Sequence, residues 1–330
     1  MVALLLAAML PAGLVALLVG GATISPQEVL RQCGQVLAGQ PPEDVAGRIL
    51  FETRLPRIVL ALAVGAAMGL AGLASQTLFR NPLASPYVMG VSSGAAVGAV
   101  FGMLLVGKVI GFAGVPLISV ACGLAVTGGV FLLARRGSHF GQSLLLAGIA
   151  ISAFCSALTA AALYLAGERL QMLVFWLMGG LWQATWRDVL VMTPVTFTCL
   201  AAALFLAPAM DVALVGDRSA RDLGVSVRRL QNSLLVLVAV ATSVAVSLTG
   251  VIGFIGLIVP HLLRLVIGPG HRGLVPACAV GGALLLLVAD TLARTVAAPA
   301  EVPVGILTAL VGAPVFLWLL QRRGVGRPAA

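Results

Sequence analysis

DVALVGDRSARDLGVSVRRL, residues 211–230, is the longest polar interval in a chain otherwise built from apolar runs. Asp211, Asp217, Arg218, Arg221, Asp222, Arg228 and Arg229 gather in it, and long apolar segments flank it on both sides. Charge at this density is not tolerated in hydrocarbon, so the stretch is a loop outside a bilayer that its flanks cross. Gly216, Ala220 and Gly224 recur every four residues, a spacing that would stack them on one face of a short helix. A surface helix with a small-residue face and a charged rim makes a docking handle for a soluble partner. A solvated interhelical loop is the plainer alternative, and the stretch alone leaves both open.

Working outward, the composition agrees with the bilayer. The chain has 330 residues, 60% hydrophobic and only 9% charged, against roughly 25% charged in a soluble domain. Too few charges are present to cover a globular surface. The apolar runs are continuous rather than alternating, which excludes a β-barrel. The net charge of +9 does not indicate nucleic acid, because the basic residues, all arginine except Lys108, collect in loops between apolar runs as topology signals do. The cysteines (Cys33, Cys122, Cys155, Cys199 and Cys278) form no CxxC pair, so neither a disulfide framework nor a zinc site is indicated.

Ten apolar spans fall near residues 1–20, 57–79, 87–107, 112–134, 142–166, 189–208, 230–249, 251–268, 275–297 and 304–321. The first is read as a membrane span rather than a signal peptide, since it lacks a basic n-region. Residues 170–184 are apolar but too short to cross, and Trp176, Trp182 and Trp186 mark them as a re-entrant or surface helix. With the N-terminus inside, the inner loops receive Arg80, Arg135, Arg136, Arg218, Arg221, Arg228, Arg229, Arg264, Arg272, Arg322, Arg323 and Arg327. Only Asp211, Asp217 and Asp222 oppose them, and the remaining charges balance. This bias puts both termini and the 211–230 loop in the cytoplasm. Gly90, Gly94, Gly98 and Gly102 form a ladder in the third span, and Gly65 and Gly69 repeat the spacing in the second; such stripes let helix backbones approach closely.

The chain offers little that carries chemistry. Gly102–Lys108 matches the start of a P-loop but continues with Val109, not Ser or Thr, and no strand can precede it. His139, His261 and His271 form no catalytic set or HExxH pair, and no span carries the soft or imidazole cluster that bare transition metals need. Arg54 and Arg57 at the outer start of the second span, and Arg294 at the outer end of the ninth, stand against the topology bias. They could grip carboxylates of an extracytoplasmic partner, or be anchored at the interface or paired within the chain. Asp290, one turn from Arg294 and deep in an apolar span, needs a partner.

Seven stretches, in order over most of the chain, resemble the FecCD-type permeases, membrane subunits of ABC importers for iron-siderophores, haem and cobalamin. They are Arg54-Leu-Pro-Arg57, Gln76-Thr-Leu-Phe-Arg-Asn81-Pro-Leu-Ala84, Gly90-Val-Ser-Ser-Gly-Ala95, Gly216-Asp-Arg-Ser-Ala-Arg-Asp-Leu-Gly224, Gly250-Val-Ile-Gly-Phe-Ile-Gly-Leu-Ile-Val-Pro-His261, Asp290-Thr-Leu-Ala-Arg294 and Glu301-Val-Pro-Val-Gly305. The resemblance implies an all-α polytopic membrane protein of the cobalamin-permease-like (type II ABC importer) fold. One transmembrane permease domain over 1–330 would have ten helices and a coupling loop at about 209–230.

It further implies a homodimer in a bacterial inner membrane, with two cytoplasmic P-loop ATPase subunits, a periplasmic binding protein and no nucleic acid. ATP and Mg would sit on the partner subunits, and this chain would be neither an enzyme nor the holder of a cofactor. Residue by residue, the resemblance assigns ATPase coupling to Gly216, Asp217, Arg218, Ala220, Arg221, Gly224 and Arg228. It assigns binding-protein docking to Arg54, Arg57 and Arg294, and a cytoplasmic gate to Asn81 and Leu83. The cargo implied is an iron chelate, with cobalamin, haem or a molybdate-type oxyanion as alternatives within the family. A proton- or sodium-coupled secondary transporter is the competitor from another class, for which Asp290 would be the coupling carboxylate, and an intramembrane enzyme is a third possibility.

Overall fold

The architecture is arranged around one buried helix. In the computed structural model, which describes residues 1–20, 24–39, 44–106, 114–135 and 140–322, α4 (Leu55–Phe79) carries an apolar segment that is 89% buried within the chain. It is preceded by α1 (Val2–Leu18), α2 (Pro26–Leu37) and α3 (Val45–Arg48), and a π-helical turn, Ile49–Arg54, joins α3 to α4. After a 3-10 turn at Pro86–Met89 come α5 (Val91–Phe101), α6 (Val115–Ala134), α7 (Phe140–Tyr164), α8 (Leu170–Leu177) and α9 (Trp186–Ala213). The short α10 (Asp217–Asp222) precedes α11 (Val227–Thr249), α12 (Ile255–Ile267), α13 (His271–Ala293) and α14 (Val304–Arg322). No strand occurs among the described residues.

Among the described residues, six helical stretches are long and apolar enough to cross a membrane: 45–79, 115–134, 140–164, 186–213, 227–249 and 271–293. Four shorter apolar helices, Val2–Leu18, Val91–Leu105, Ile255–Ile267 and Val304–Trp318, fall at the other four spans expected from the sequence. The ninth expected span, 275–297, begins four residues earlier, at His271, because the carboxylate of Asp211 accepts the His271 backbone N–H at 2.7 Å and satisfies the first turn. The 170–184 piece does not cross. α8 is eight residues long, and the chain after it is buried at Gly179–Leu181, where Gly180 N–H donates to Thr249 O at 2.8 Å. The polar helix α2 was not expected; Ser25 caps it by accepting from Glu28 N–H at 3.2 Å, and Pro26 starts it.

Glycine explains why α4 can be central. A methyl group at Gly65 would overlap the Gly282 carbonyl, one at Gly69 the Cys278 carbonyl, and one at Gly72 the Gly256 carbonyl. The backbone of α4 therefore lies directly on α13 and α12, with α9 and α11 on its other sides. The α5 ladder works the same way in part. Cβ atoms at Gly94 and Gly98 would come within 2.7 Å of Val126 and 2.6 Å of Cys122 on α6, whereas Gly102 has ordinary clearance and Gly90, at φ +76°, is the turn that starts α5. Around this core the burial falls away, to 17% of the apolar segment of α7, which presents its side chains outward.

Replacing Gly69 by leucine should cost more than ~3 kcal/mol, because the obstacle is backbone rather than a movable side chain. The alanine variant of Gly129, whose added methyl would meet no neighbouring helix within 4 Å, should melt no lower than the wild type. Thermal unfolding of the detergent-solubilised protein checks both.

Candidate functional site

Two polar constellations lie at opposite ends of α4. At its C-terminus the helix ends on Arg80, in the left-handed conformation at φ 49°, and turns tightly. Asn81 N–H donates to Gln76 O at 3.1 Å, Ala84 N–H to Asn81 O at 3.0 Å, and the Asn81 side chain accepts from Leu83 N–H at 2.9 Å. The Asn-Pro dipeptide thus builds a stiff Asx-type turn at residues 81–84.

The 211–230 loop folds beside this turn. Its helix is shorter than the glycine spacing suggests. Gly216 and Gly224 lie outside α10, at φ +124° and +82°, so they break the chain at each end, and only Ala220 of the three small residues packs, with no exposure at all. The small-residue face is accordingly corrected to one buried alanine between two glycine breaks. Arg218, Arg221, Asp222, Arg228 and Arg229 are exposed. So are three apolar side chains that charge counting overlooked: Leu214 at 46%, Val215 at 71% and Leu223 at 68% exposure. Outside the bilayer, exposed apolar groups framed by arginines have the make-up of a protein-docking surface. Asp217 does not point away with them; its carboxylate pairs with Arg80, and its carbonyl accepts from Arg221 Nε at 3.1 Å.

Farther in, His271 is fully buried and bridges two elements. Its Nδ1 lies 2.7 Å from Asp211 Oδ1, and its Nε2 lies 2.9 Å from Thr77 Oγ1 on α4. With the proton on Nδ1 donated to Asp211, Nε2 is an acceptor that competes with Leu73 O, 3.0 Å away, for the single Thr77 hydroxyl proton. On α12, Arg264 donates to Gln76 Oε1 at 3.0 Å, and Gln76 Nε2 donates to Leu257 O at 3.1 Å. A cavity of about 960 Å³ opens here between Arg80, Asn81, Arg135, Asp217, Arg221 and Arg228. Arg136, His139 and Lys108, weighed in the sequence, lie outside the described residues.

At the other end of α4 the expected docking arginines sit below the surface. Arg57 clamps Asp290 through Nε and Nη2 at 3.0 and 2.9 Å and reaches Glu301 with Nη1 at 2.8 Å. Arg294 Nε is 3.2 Å from the other Asp290 oxygen, an ionic contact outside hydrogen-bond geometry, and its Nη2 donates to Ala16 O at 3.3 Å. Arg54 donates to the carbonyls of Leu17 and Leu18 at the C-terminal end of α1. The side chains of Arg57 and Arg294 are only 6% and 4% exposed and that of Asp290 is fully buried, while Glu301, at 37%, forms the rim. The structure therefore engages all three arginines within the chain, where they tie α1, α4 and α13 together. Asp290 is compensated by two guanidiniums, a poor arrangement for a carboxylate that must load and release a coupling ion.

A second cavity, about 720 Å³, is lined by Met103, Glu168, Met172, Phe175, Trp176 and Trp182. Phe175 and Trp182 pack at 4.7 Å between centroids. Among the described residues no three His, Cys, Asp or Glu side chains converge as a metal-holding group.

The sequence profile of the FecCD transport family matches residues 5–322. The chain is 44% identical over 289 residues to the hemin transport system permease protein HmuU of Yersinia pestis, covering 85% of each chain. It is 41% identical over 280 residues to the vitamin B12 import system permease protein BtuC of Salmonella paratyphi A, covering 83% of each. A solved inward-facing structure of an ABC transporter assigned to the metal-chelate type superposes with a TM-score of 0.83 at 30% identity, covering 97% of this chain and 98% of that one. PsaBC from Streptococcus pneumoniae, 17% identical with a TM-score of 0.58, shares the fold.

Replacing Arg57 by leucine should destabilise the protein by ~3–5 kcal/mol, since it strips Asp290 of its bidentate partner in a buried site. Adding Asp290→Leu should recover much of the loss. Melting of the two variants side by side distinguishes this ion clamp from independent packing effects, which would add.

Proposed function

The chain belongs to the FecCD transport family, whose members are the membrane permease subunits of ABC importers, and from that premise we propose that its cargo is an iron chelate such as a ferric siderophore. The metal-chelate assignment of the structural neighbour supports this reading. Haem and cobalamin are the second reading, favoured by what HmuU and BtuC are named for.

The observation that carries the mechanism is the 211–230 loop. It sets exposed Val215 and Leu223 on either flank of α10, beside exposed Arg218 and Arg221 on that helix and Arg228 at the start of α11. We assign it to the cytoplasmic side, docked on a P-loop ATPase subunit that binds ATP and Mg. Two copies of this chain would assemble around the pathway, each with one ATPase subunit. ATP-driven closure of the ATPase pair displaces the docked helices, and the Asn81–Leu83 turn gates the inner end of the pathway. Cargo whose metal is already held by its own chelator needs only a shaped, weakly binding route. The aromatic and methionine lining beside Glu168 suits the passage of a large, partly planar complex.

Docking of an extracytoplasmic binding protein would fall on the rim above Arg54, Arg57 and Arg294. Because Glu301 already occupies one side of Arg57, an incoming carboxylate has to compete with it or add beside it.

Reversing Arg221 and Arg228 to glutamate together should release the ATPase subunit and abolish ATP-driven uptake, with the permease still folded. Co-purification from membranes checks the first effect, and uptake into proteoliposomes of a ferric siderophore, haemin or cobalamin, each with its binding protein, checks the cargo. Retained association would rule out the loop as the docking site. Uptake driven by an ion gradient in the absence of ATP would rule out the importer mechanism.

A further inference from the structure

The last turn of α4 is attached at two points to the segment that opens the docking loop. The inner attachment is buried: Thr77 to His271 at 2.9 Å, and His271 to Asp211 at 2.7 Å through both its ring and its backbone N–H. The outer attachment is the Arg80–Asp217 ion pair, one residue before the Asn81 turn on one side and at the first residue of α10 on the other. From the geometry we infer that this pair is a strut carrying displacement of α10 straight into the Asn81–Leu83 turn, with the Thr77–His271–Asp211 bridge as its pivot. The inference rests on the proposed docking and gating roles of these two segments and goes beyond them by naming the link.

Three features argue for it. The turn cannot absorb the motion, because Gln76 O, the Asn81 side chain and Asn81 O each hold one of its backbone N–H groups. α10 is lightly held, since Ala220 is its one buried residue and its neighbours along the helix are exposed or half-buried. The cavity between Arg80, Asn81, Arg135, Asp217 and Arg228 leaves room for the displacement. The left-handed backbone of Arg80 also matters: it ends the helix and starts the turn at the same residue that carries the guanidinium. With side-chain exposures of 40% and 42%, the pair adds little stability, so its value lies in registration between two elements.

The test uses the full transporter in proteoliposomes with its ATPase subunits and binding protein, and reads cargo taken up per ATP hydrolysed. Arg80→Glu and the milder Arg80→Gln should each lower this ratio at least fivefold while the ATPase subunit still co-purifies, and Asp217→Arg should lower it as well. The exchanged pair, Arg80→Asp with Asp217→Arg, should return the ratio to within about threefold of wild type, a rescue that a merely structural role would not produce. An unchanged ratio in the Arg80 variants, or no rescue by the exchange with the ATPase subunit bound, overturns the strut. If the Arg221→Glu, Arg228→Glu variant keeps its ATPase subunit, the docking assignment fails instead, which separates the two outcomes.

Discussion

Direct backbone contact between α4 and its neighbours is the constraint from which the remaining arrangement follows. At Gly65, Gly69 and Gly72 the carbonyls of α13 and α12 occupy the space where a side chain would stand. In a bilayer there is no hydrophobic gain from hiding apolar side chains from lipid, so helix association depends on such close packing and on polar contacts between helices. Tight seating puts α4 in the middle, and its two ends then become the natural places for charge.

The two ends use charge differently. Around Arg57, Asp290 and Arg294 the groups are almost wholly buried, so each needs its partner and the cluster is sensitive to loss of any one. Arg294, together with Arg54, also supplies donors to the carbonyls at the end of α1, which have no helical partner of their own. At the other end Arg80 and Asp217 remain wet and contribute little to stability. One end of α4 is thus held by buried, mutually dependent charges and the other by a solvated pair.

The exposed face of the 211–230 loop adds a second division of labour. Ala220 seats α10 on the bundle, while its arginines and the flanking Val215 and Leu223 are left outward, so the segment is both fastened and displayed. The glycines on either side end the helix, because their positive φ values lie where other residues rarely go.

Much of this was legible in the chain itself. Continuous apolar runs and scarce charge dictate a helical membrane protein, since only helices satisfy their backbone groups along such runs. The four-residue glycine spacing announces close helix contacts, and the quoted motifs carry the family. What the sequence by itself could not decide is which groups meet across it. The one-turn spacing announces the contact of Asp290 with Arg294, but that Asp290 also meets Arg57, that Asp211 and Thr77 share His271, and that Arg80 reaches Asp217 are contacts between residues 60 to 233 apart, with no local signal. Local spacing also misled at Gly216 and Gly224, where periodicity suggested a helical face and the backbone uses both as breaks. Composition and periodicity act along the chain and determine what the helices are; which of their polar groups face one another is decided by the packing of α4, because only that packing brings the partners within bonding distance.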